Sequence, residues 1–573
     1  MMLHSILPNL PSRRSFLLLC IFCSSILSIG VSARSNDVVR RNDPTQRPLA
    51  NDEDVAIHGH PQKPIKSKDP KTLPALLSAL DVLQEDYFAV WQGIYPTGID
   101  WTSAVMGTHV AGALTTLTKS FSALSSPKTN ENIINKYFSE LIGFYFGQDA
   151  FALRQQAYDD MLWVVLGWLD TVKFIDLHAQ LHYSNSSQPE WYGKQYKSAF
   201  AHRARLFWEL ASQGWDTTLC GGGMIWSPYL LPYKNAITNE LYIAASISMY
   251  LYFPGDSNLS PFILSNPAYP PRDAAYLKAA VDAYKWLTSS NMTNSEGLYV
   301  DGYHISNLSG GENTKCDSRN EMVYTYNQGV LLTGQRGLYD ATAARSYLED
   351  GHKLISDVIA ATGYDLKENV VLSPPPKDGS ALAKWYGLGR NGILEDACDS
   401  GGFCSQDGQT FKGIFFHHLT AFCTDLPEKP NAGTEENLKL DREWHFGKCT
   451  RYASWIKRNA EAALDTRDEG GRFGMWWGAA EAHDSMNVDT PDQDQIPADA
   501  IDYRNMGVPK NAEWRGEKYP QGAKGSPIFG YADGGDHRVG IEDLNDRGRG
   551  RTVEAQGGGL SVLRALWEIA DLK

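Results

Sequence analysis

Residues 157–170 read AYDDMLWVVLGWLD and place two acids, Asp159 and Asp160, at the head of an almost wholly apolar run. A helix that is apolar on all sides is normally buried inside a domain. Two carboxyl groups at its edge lose water and repel each other, which raises the pKa of at least one of them. Each pKa unit of such a change corresponds to about 1.4 kcal/mol of difference between the interactions of the protonated and ionised forms. Such a cost is typical of functional sites. The stretch therefore predicts a buried helix with a candidate chemical site at its N-terminal end.

The spacing of the two acids indicates one kind of chemistry. Adjacent helical residues point about 100° apart, so both carboxyl groups can reach one small cavity. Retaining glycosidases hold a nucleophile and an acid/base about 5–5.5 Å apart, whereas inverting enzymes need a wider gap for water. The pair fits the retaining arrangement better. A structural alternative stays open, because acids are common in the first turn of a helix, where the macrodipole favours them.

A glycine-rich stretch, CGGGMIWSP at 220–228, precedes the sequence YKNAITNEL. Three glycines allow a tight backbone path beneath a ligand, and Trp226 offers an aromatic platform. Lys234, Asn235 and Asn239 stand at the head of the helix that follows. The GxxxxGK[ST] pattern of a phosphate loop is absent. A capped helix beside a buried tryptophan is the alternative interpretation.

Polar residues also precede other apolar helices. Asp301 is predicted at a turn in GLYVDG, residues 297–302. Tyr326, Asn327 and Gln328 lie in YTYNQGVLLTG, residues 324–334. A buried amide without a partner costs about 1–3 kcal/mol, and either sugar hydroxyls or backbone groups can satisfy it. Lys412, in FKGIFFHHL, completes the set of candidate substrate-binding residues.

No metal or cofactor is predicted. His417 and His418 are more typical of packed or surface histidines than of metal ligands. The acidic string at 489–502 lacks the glycine and the closing glutamate of a calcium-binding loop and is interpreted as a solvated loop.

Apolar residues recur at three- and four-residue spacing over twelve segments, which predicts an all-α protein. The segments are 74–92, 102–122, 131–143, 155–181, 191–213, 235–253, 271–289, 321–338, 342–361, 409–424, 446–465 and 556–571. Twelve helices can close as six inner and six outer helices, an (α/α)6 barrel, but a helical array or two bundles give the same count. If the inner helices run parallel, their polar N-terminal ends converge at one mouth. Long polar segments at 362–408, 425–445 and 466–555 are predicted loops.

The N-terminus resembles a secretion signal. Arg13 and Arg14 precede an apolar run that ends in Val31-Ser32-Ala33, whose small residues suit cleavage. The predicted organisation is a signal peptide at 1–33, a disordered leader at 34–71 and a single catalytic domain at 72–573. An uncleaved signal anchor is the alternative. The C-terminus lacks the pattern of a GPI signal, so no stable membrane anchor is expected.

Composition agrees with an extracellular protein. The net charge of −14 does not suggest nucleic acid as a partner. Beyond the signal segment six cysteines remain, an even number that suggests disulfides without fixing their pairing. Sequons for N-glycosylation stand at Asn185, Asn258, Asn291 and Asn307. The expected location is secreted, extracellular or associated with a cell wall; the oligomeric state is not indicated.

Taken together, the motifs resemble glycoside hydrolase family 76, the α-1,6-mannanases and the related fungal wall proteins Dfg and Dcw. The matching pieces are YDDMLW, CGGGMIW, YKNAITNEL, GLYVDG, YTYNQGVLLTG, FKGIFF and TVEAQGGGLSVLRAL. The sequence departs from the family at FHHL, where an Arg-Tyr pair often follows the FKG motif, and in the length of segments 362–408 and 466–555.

The resemblance implies an (α/α)6 barrel and a retaining mechanism, with Asp159 as nucleophile and Asp160 as acid/base. It implies α-1,6-mannan or the glycans of mannoproteins as substrate, and hence a secreted endo-α-1,6-mannanase. A mannan transglycosylase of wall remodelling and a non-catalytic mannan-binding wall protein are the alternatives. A sugar epimerase is a further rival, but epimerases usually use His or Lys proton carriers rather than an adjacent Asp pair.

Overall fold

Helices dominate the chain, as the apolar periodicity predicts. The computed structural model describes residues 69–184, 189–257, 269–308, 313–376, 381–427, 433–481, 495–506, 508 and 543–570. Within them the α-helices are α1 Thr72–Asp86, α2 Asp100–Lys119, α3 Pro127–Gly147, α4 Ala150–Leu153, α5 Tyr158–His182, α6 Lys197–Ser212, α7 Ala236–Tyr252, α8 Ala274–Ser289, α9 Thr325–Thr342, α10 Ser346–Ala360, α11 Gln406–Cys423, α12 Glu435–Cys449, α13 Ala453–Asp465 and α14 Val553–Ile569.

All twelve predicted helices occur, most with ends shifted by a few residues. Two further helices, α4 and α12, were not predicted, and α12 occupies most of the segment 425–445 that was expected to be a loop. Its sequence, EENLKLDREWHFGKC, is largely polar and buries only four side chains, so it carries little apolar periodicity.

Six helices close a ring. Helix α2 packs on α5, which packs on α7; the ring continues through α9, α11 and α14, and α14 packs back on α2. Around it, α1 and α13 pack on α14, α3 on α2, α6 on α5, α8 on α7 and α10 on α9. This closure confirms the (α/α)6 barrel and excludes an open helical array and two separate bundles.

The inner helices run parallel. At one end of the ring, the carboxylate of Glu554 accepts hydrogen bonds from Thr102 Oγ1 at 2.8 Å and Gln406 Nε2 at 3.1 Å, joining the first turns of α14, α2 and α11. At the other end, Thr116 Oγ1 donates to Glu568 Oε1 at 2.7 Å, joining the last turns of α2 and α14. The N-terminal ends therefore share one mouth, as the sequence interpretation required.

Short strands lie in the loops at this mouth. β1 Tyr233–Asn235, β2 Val300–His304 and β3 Ser318–Val323 form an antiparallel sheet in that order, with Lys234 opposite Tyr303. Hairpins of β4 Tyr364–Asp365 with β5 Val370–Val371 and of β6 Gly389–Arg390 with β7 Ile393–Leu394 lie within 362–408. Asp301 thus lies in a strand, and its predicted placement at a turn was wrong. Asn327 and Gln328 lie inside the first turn of α9 rather than ahead of it.

All six cysteines beyond the signal segment form disulfides, as their even number suggests. The pairs are Cys220–Cys316, Cys398–Cys404 and Cys423–Cys449. Cys423 ends α11 and Cys449 ends α12, so the third disulfide fixes the unpredicted helix to the inner ring.

Asn291 and Asn307 are exposed, which suits their sequons. The sequons at Asn185 and Asn258, the signal peptide and nearly all of the leader lie outside the described residues. None of the helices among the described residues is long and apolar enough to cross a bilayer.

The two histidines of the FHHL sequence are packed inside the ring, near its C-terminal end. His417 Nε2 lies 3.1 Å from Asp170 Oδ2, and Arg564 Nη1 donates to His417 Nδ1 at 3.1 Å. His418 Nδ1 lies 2.7 Å from Thr333 Oγ1. Burial lowers the pKa of both histidines, so they are neutral in the fold.

Close packing of α9 on α11 generates a test of the ring. A Cβ at Gly329 would lie 2.6 Å from the backbone Cα of Phe415, which cannot yield as a flexible side chain does. We expect Gly329→Ala to lower the free energy of unfolding by about 1–3 kcal/mol through overpacking. The control is Gly447→Ala on the exposed side of α12, where no atom lies within 4 Å; it should raise stability by about 0.5–1 kcal/mol. Chemical denaturation followed by circular dichroism measures both, and equal losses would contradict the packing.

Candidate active site

The acid pair lies in the first turn of α5, at the mouth of the ring. The side chain of Asp159 is only 6% exposed. Its Oδ2 accepts a hydrogen bond from Trp226 Nε1 at 3.1 Å, and its Oδ1 accepts from the backbone N–H of Asp160 at 3.2 Å. The backbone N–H of Tyr158 donates to the carbonyl of Trp226 at 2.9 Å, so the glycine-rich loop is fastened to the start of α5.

Asp160 is half-buried and serves partly as a helix cap. Its Oδ2 accepts from the backbone N–H of Ala157 at 3.1 Å, a bond that satisfies one of the orphan donors of the first turn. The alternative interpretation, in which the acids only stabilise the first turn of the helix, therefore accounts for this one hydrogen bond of Asp160. It does not account for Asp159, whose carboxylate is buried against a tryptophan from another loop.

Burial raises the pKa of both acids, and their different neighbours separate the two values. Desolvation raises the pKa of Asp159 to about 6, while the positive charge of Arg504 and the hydrogen bond from Trp226 hold it from rising further. Desolvation and the neighbouring charge of Asp159 raise the pKa of Asp160 well above its usual range. Of the two, Asp160 therefore holds its proton more strongly, and Asp159 is the first to ionise.

Residues from other elements converge on the same place. The charge of Arg504 acts on Asp159, Asp301 of β2, Tyr326 of α9 and Asp407 of α11. Tyr326 stacks on Phe411 with ring centroids 3.9 Å apart, and Trp101 Nε1 donates to Asp407 Oδ1 at 3.0 Å. The mouth thus gathers acidic and aromatic side chains from several inner helices.

Two of the predicted binding residues instead hold the glycine-rich loop. Lys234 is fully buried, and its Nζ lies 2.6 Å from the carbonyl of Gly223 and 3.0 Å from Asp216 Oδ2. The amide of Asn239 accepts from the backbone N–H of Met224 at 2.7 Å and donates to its carbonyl at 3.2 Å. Both side chains therefore position Trp226 from behind the loop.

Gln328 and Lys412 also have protein partners. The amide of Gln328 bonds to the backbone N–H and carbonyl of Tyr299, both at 2.8 Å. Lys412 is 2% exposed, and its Nζ forms an ion pair with Asp399 Oδ2 at 2.5 Å. In this structure the polar groups of Gln328 and Lys412 therefore bind other parts of the protein.

Four other predicted residues keep polar atoms that are buried and have no partner among the described residues. They are Asn235, Asn327, the hydroxyl of Tyr326 and Oδ1 of Asp301. Asp301 Oδ2 is held by the hydroxyl of Tyr233 at 2.5 Å and by Asn320 Nδ2 at 3.2 Å, so its free oxygen has a fixed direction. Buried polar atoms normally find partners, and ligand hydroxyls can supply them here. Sugar contact stays a prediction for this set.

Sequence reasoning missed two residues of the mouth. Asp407 lies in the first turn of α11, and the rule that singled out polar residues at helix N-termini applies to it equally. Arg504 lies two residues beyond the predicted solvated loop at 489–502, in a segment without periodicity. The described part of that loop is not simply solvated: Gln495 is buried, and the hydroxyl of Tyr324 donates to Asp502 Oδ1 at 2.8 Å.

Comparison with known protein families assigns the chain to one of them. A family model described as "Glycosyl hydrolase family 76" matches residues 179–487, more than half of the chain. The chain belongs to glycosyl hydrolase family 76. The matched region of family 76 begins after the acid pair, so the roles of Asp159 and Asp160 depend on their motif and geometry.

Relatives in family 76 are distant. Mannan endo-1,6-alpha-mannosidase DFG5 of Saccharomyces cerevisiae is 24% identical over 213 residues, which cover 36% of this chain and 35% of the relative. DCW1 of the same yeast, also a mannan endo-1,6-alpha-mannosidase, is 22% identical over 261 residues, covering 44% and 45%. The chain thus spans less than half the length of the curated relatives it matches.

Solved family 76 structures align along most of the chain. The GH76A alpha-1,6-mannanase from Salegentibacter sp. has a TM-score of 0.48 at 17% identity, covering 87% of this chain and 98% of that one. Dfg5 from Chaetomium thermophilum in complex with glucosamine has a TM-score of 0.47 at 13% identity, covering 89% and 92%.

The supporting position of Lys412 leads to a test. Removing one partner of a buried ion pair leaves an uncompensated charge, which costs about 3–5 kcal/mol. We expect Lys412→Met to lower the free energy of unfolding by that amount, because Asp399 loses its cation. Lys457→Met, at an exposed position of α13, should change it by less than about 0.5 kcal/mol. Denaturant titration measures both variants. A stable Lys412→Met protein with weakened sugar binding would instead restore Lys412 as a binding residue.

Proposed function

We propose that the protein is a retaining endo-α-1,6-mannanase that hydrolyses the backbone of mannan. The observation that carries the proposal is the buried carboxylate of Asp159, which accepts a hydrogen bond from Trp226 directly beside Asp160. A retaining glycosidase needs one ionised and one protonated carboxyl group near each other. Neighbouring residues of one helical turn supply both, and the roles follow from the charge of Arg504 and the hydrogen bond from Trp226, which favour the ionised form of Asp159.

In the first step, Asp159 attacks the anomeric carbon of a mannosyl unit. The glycosidic bond breaks, and Asp160 gives its proton to the leaving oxygen. Since Asp159 is ionised near neutral pH, a lone pair is available for attack, while Trp226 orients the other oxygen. A covalent glycosyl-enzyme results, and Asp160 is left as a carboxylate.

In the second step, Asp160 takes a proton from water, and the oxygen of that water attacks the same anomeric carbon. The bond to Asp159 breaks, so both carboxyl groups return to their starting states with the anomeric configuration retained. The half-buried position of Asp160 suits this step, because water must reach its carboxylate.

The substrate class is supported by family 76 membership and by the relatives, which are named mannan endo-1,6-alpha-mannosidases. Within the site, Asn235, Asn327, Tyr326 and Asp301 offer free polar atoms that suit sugar hydroxyls. We further propose that the protein is secreted, through the signal at 1–33, and that it acts on external or wall-bound mannan. The exposed sequons at Asn291 and Asn307 suit that location.

The roles of the acids can be tested by substitution. Asp160→Asn should lower kcat on α-1,6-mannan by about 100- to 10,000-fold, the usual contribution of a general acid/base, and Asp159→Asn by at least as much. Binding of manno-oligosaccharides should persist in both variants. Asp282→Asn, on the outer helix α8, is the control. Near-normal turnover in either acid variant would contradict the catalytic roles assigned to Asp159 and Asp160.

The retaining mechanism is tested by the configuration of the product. Proton NMR of the first-formed product should show the α-anomer, and a β-anomer would contradict the mechanism.

Transfer of the mannosyl unit to another sugar is the alternative fate of the glycosyl-enzyme. It requires an acceptor sugar to displace water from the mouth. We expect mass spectrometry of α-1,6-manno-oligosaccharide digests to show mainly shorter products. Products predominantly longer than the starting sugar at modest acceptor concentration would establish a transglycosylase, and absence of any cleavage would favour a mannan-binding protein.

A further inference from the structure

Residues 495–506, here called the rim segment, lie against the mouth of the ring. The backbone of Ile501 exchanges two hydrogen bonds with the amide of Asn320, at 2.8 and 2.9 Å. Asn505 Oδ1 accepts from the backbone N–H of Ser405 at 2.7 Å, and Asp502 accepts from the hydroxyl of Tyr324. Tyr324 and Ser405 immediately precede α9 and α11, so the rim segment is fixed to the N-terminal ends of two inner helices.

The fastened residues flank Arg504 and aim its side chain into the site. Its guanidinium carbon lies 5.3 Å from the ring centroid of Trp226 and 6.0 Å from that of Tyr326. Such distances allow a cation–π attraction of about 0.5–2 kcal/mol. Its Nε is buried without a hydrogen-bond partner. Among the described residues, no carboxylate forms an ion pair with it.

Acidic and phenolic groups face Arg504 from several elements. The carboxyl groups are those of Asp159 and Asp160 of α5, Asp301 of β2 and Asp407 of α11. The phenol groups are those of Tyr233 of β1, Tyr324 just before α9 and Tyr326 of α9. Asp502 lies two residues away on the rim segment itself, and the charge of Arg549 acts on Asp407 from the segment before α14. A single guanidinium thus acts on four carboxyl groups of the mouth.

We propose that Arg504 is a positioning residue of the active site, which holds the ring of Trp226 against Asp159 and places a positive charge near that carboxylate without pairing with it. The inference rests on the proposed function, because it assigns Arg504 a task in the reaction of the acid pair. It adds a residue from outside the matched region 179–487.

The absence of a direct pair is chemically useful. An arginine bonded to Asp159 would occupy the oxygen lone pairs that must attack the anomeric carbon, and it would stabilise the ground state more than the transition state. A cation at longer range still favours the ionised form, because the Coulomb interaction falls only slowly with distance in a poorly solvated site. Stacking on Trp226 also limits the orientations of the indole whose N–H is bonded to Asp159.

The test compares Arg504→Gln, which removes the charge, with Arg504→Lys, which keeps it. Removing the cation raises the pKa of Asp159, since Arg504 lowers it in the wild type. The acid limb of the kcat/KM profile should therefore move upward by about one pH unit in Arg504→Gln, with an about tenfold loss below pH 6 and a smaller loss near pH 7.5. The alkaline limb should move in the same direction, because Arg504 also acts on Asp160. Arg504→Lys should keep both midpoints near those of the wild type.

Lys457→Gln on the exposed face of α13 controls for the change in net charge. A merely structural role for Arg504 would lower activity at every pH with unchanged midpoints in both Arg504 variants, and that outcome would overturn the inference. The same holds if Arg504→Gln matches the wild-type profile.

A readout without substrate separates this inference from the proposed function. Carbon-13 NMR of protein labelled at the aspartate carboxyl carbons follows the titration of Asp159, whose signal is identified by its loss in Asp159→Asn. An upward move in Arg504→Gln supports the inference even if the protein does not cleave α-1,6-mannan. An unmoved titration overturns it even if cleavage is demonstrated.

Discussion

The parallel inner ring is the constraint on which the site depends. Because outer and inner helices alternate along the chain, every inner helix points its N-terminus toward the same mouth, where partial positive charges and unpaired N–H groups favour acids. Asp159, Asp160 and Asp407 occupy first turns at this end.

Asp159 and Asp160 are adjacent residues of the same type, but their different surroundings give them different affinities for a proton. Asp159 faces the tryptophan of the glycine-rich loop and is almost fully buried, whereas Asp160 is half-buried and is bonded to the start of its own helix. Lys234 and Asn239 bind that loop through Gly223 and Met224, so they help to decide where the indole N–H points. The division of roles in the pair thus originates in the packing of loop 221–226 against α5.

The sequence predicts what depends on local pattern and misses what depends on tertiary contact. Apolar periodicity located all six inner helices, the position of polar residues at their ends singled out Asp159 and Asp160, and the glycine-rich stretch singled out Trp226. Helix α12 was not predicted because it is polar and is held by the disulfide at Cys449. Arg504 was not predicted because its segment is brought to the mouth by tertiary contacts, among them those with Asn320, Tyr324 and Ser405. Lys234 and Lys412 were singled out correctly as unusual, but residue type alone does not distinguish a ligand contact from a buried ion pair.

The two departures from the family pattern differ in physical meaning. The FHHL sequence places His417 near the C-terminal end of the ring, where the guanidinium of Arg564 and the carboxylate of Asp170 bind its two nitrogens. His417 is therefore satisfied inside the ring by side chains of α14 and α5, at a position remote from the acid pair. The long segment after residue 466 instead brings Arg504 into the mouth itself. A change compensated inside the ring alters packing alone, whereas one that adds a charge beside Asp159 alters the conditions under which the nucleophile ionises.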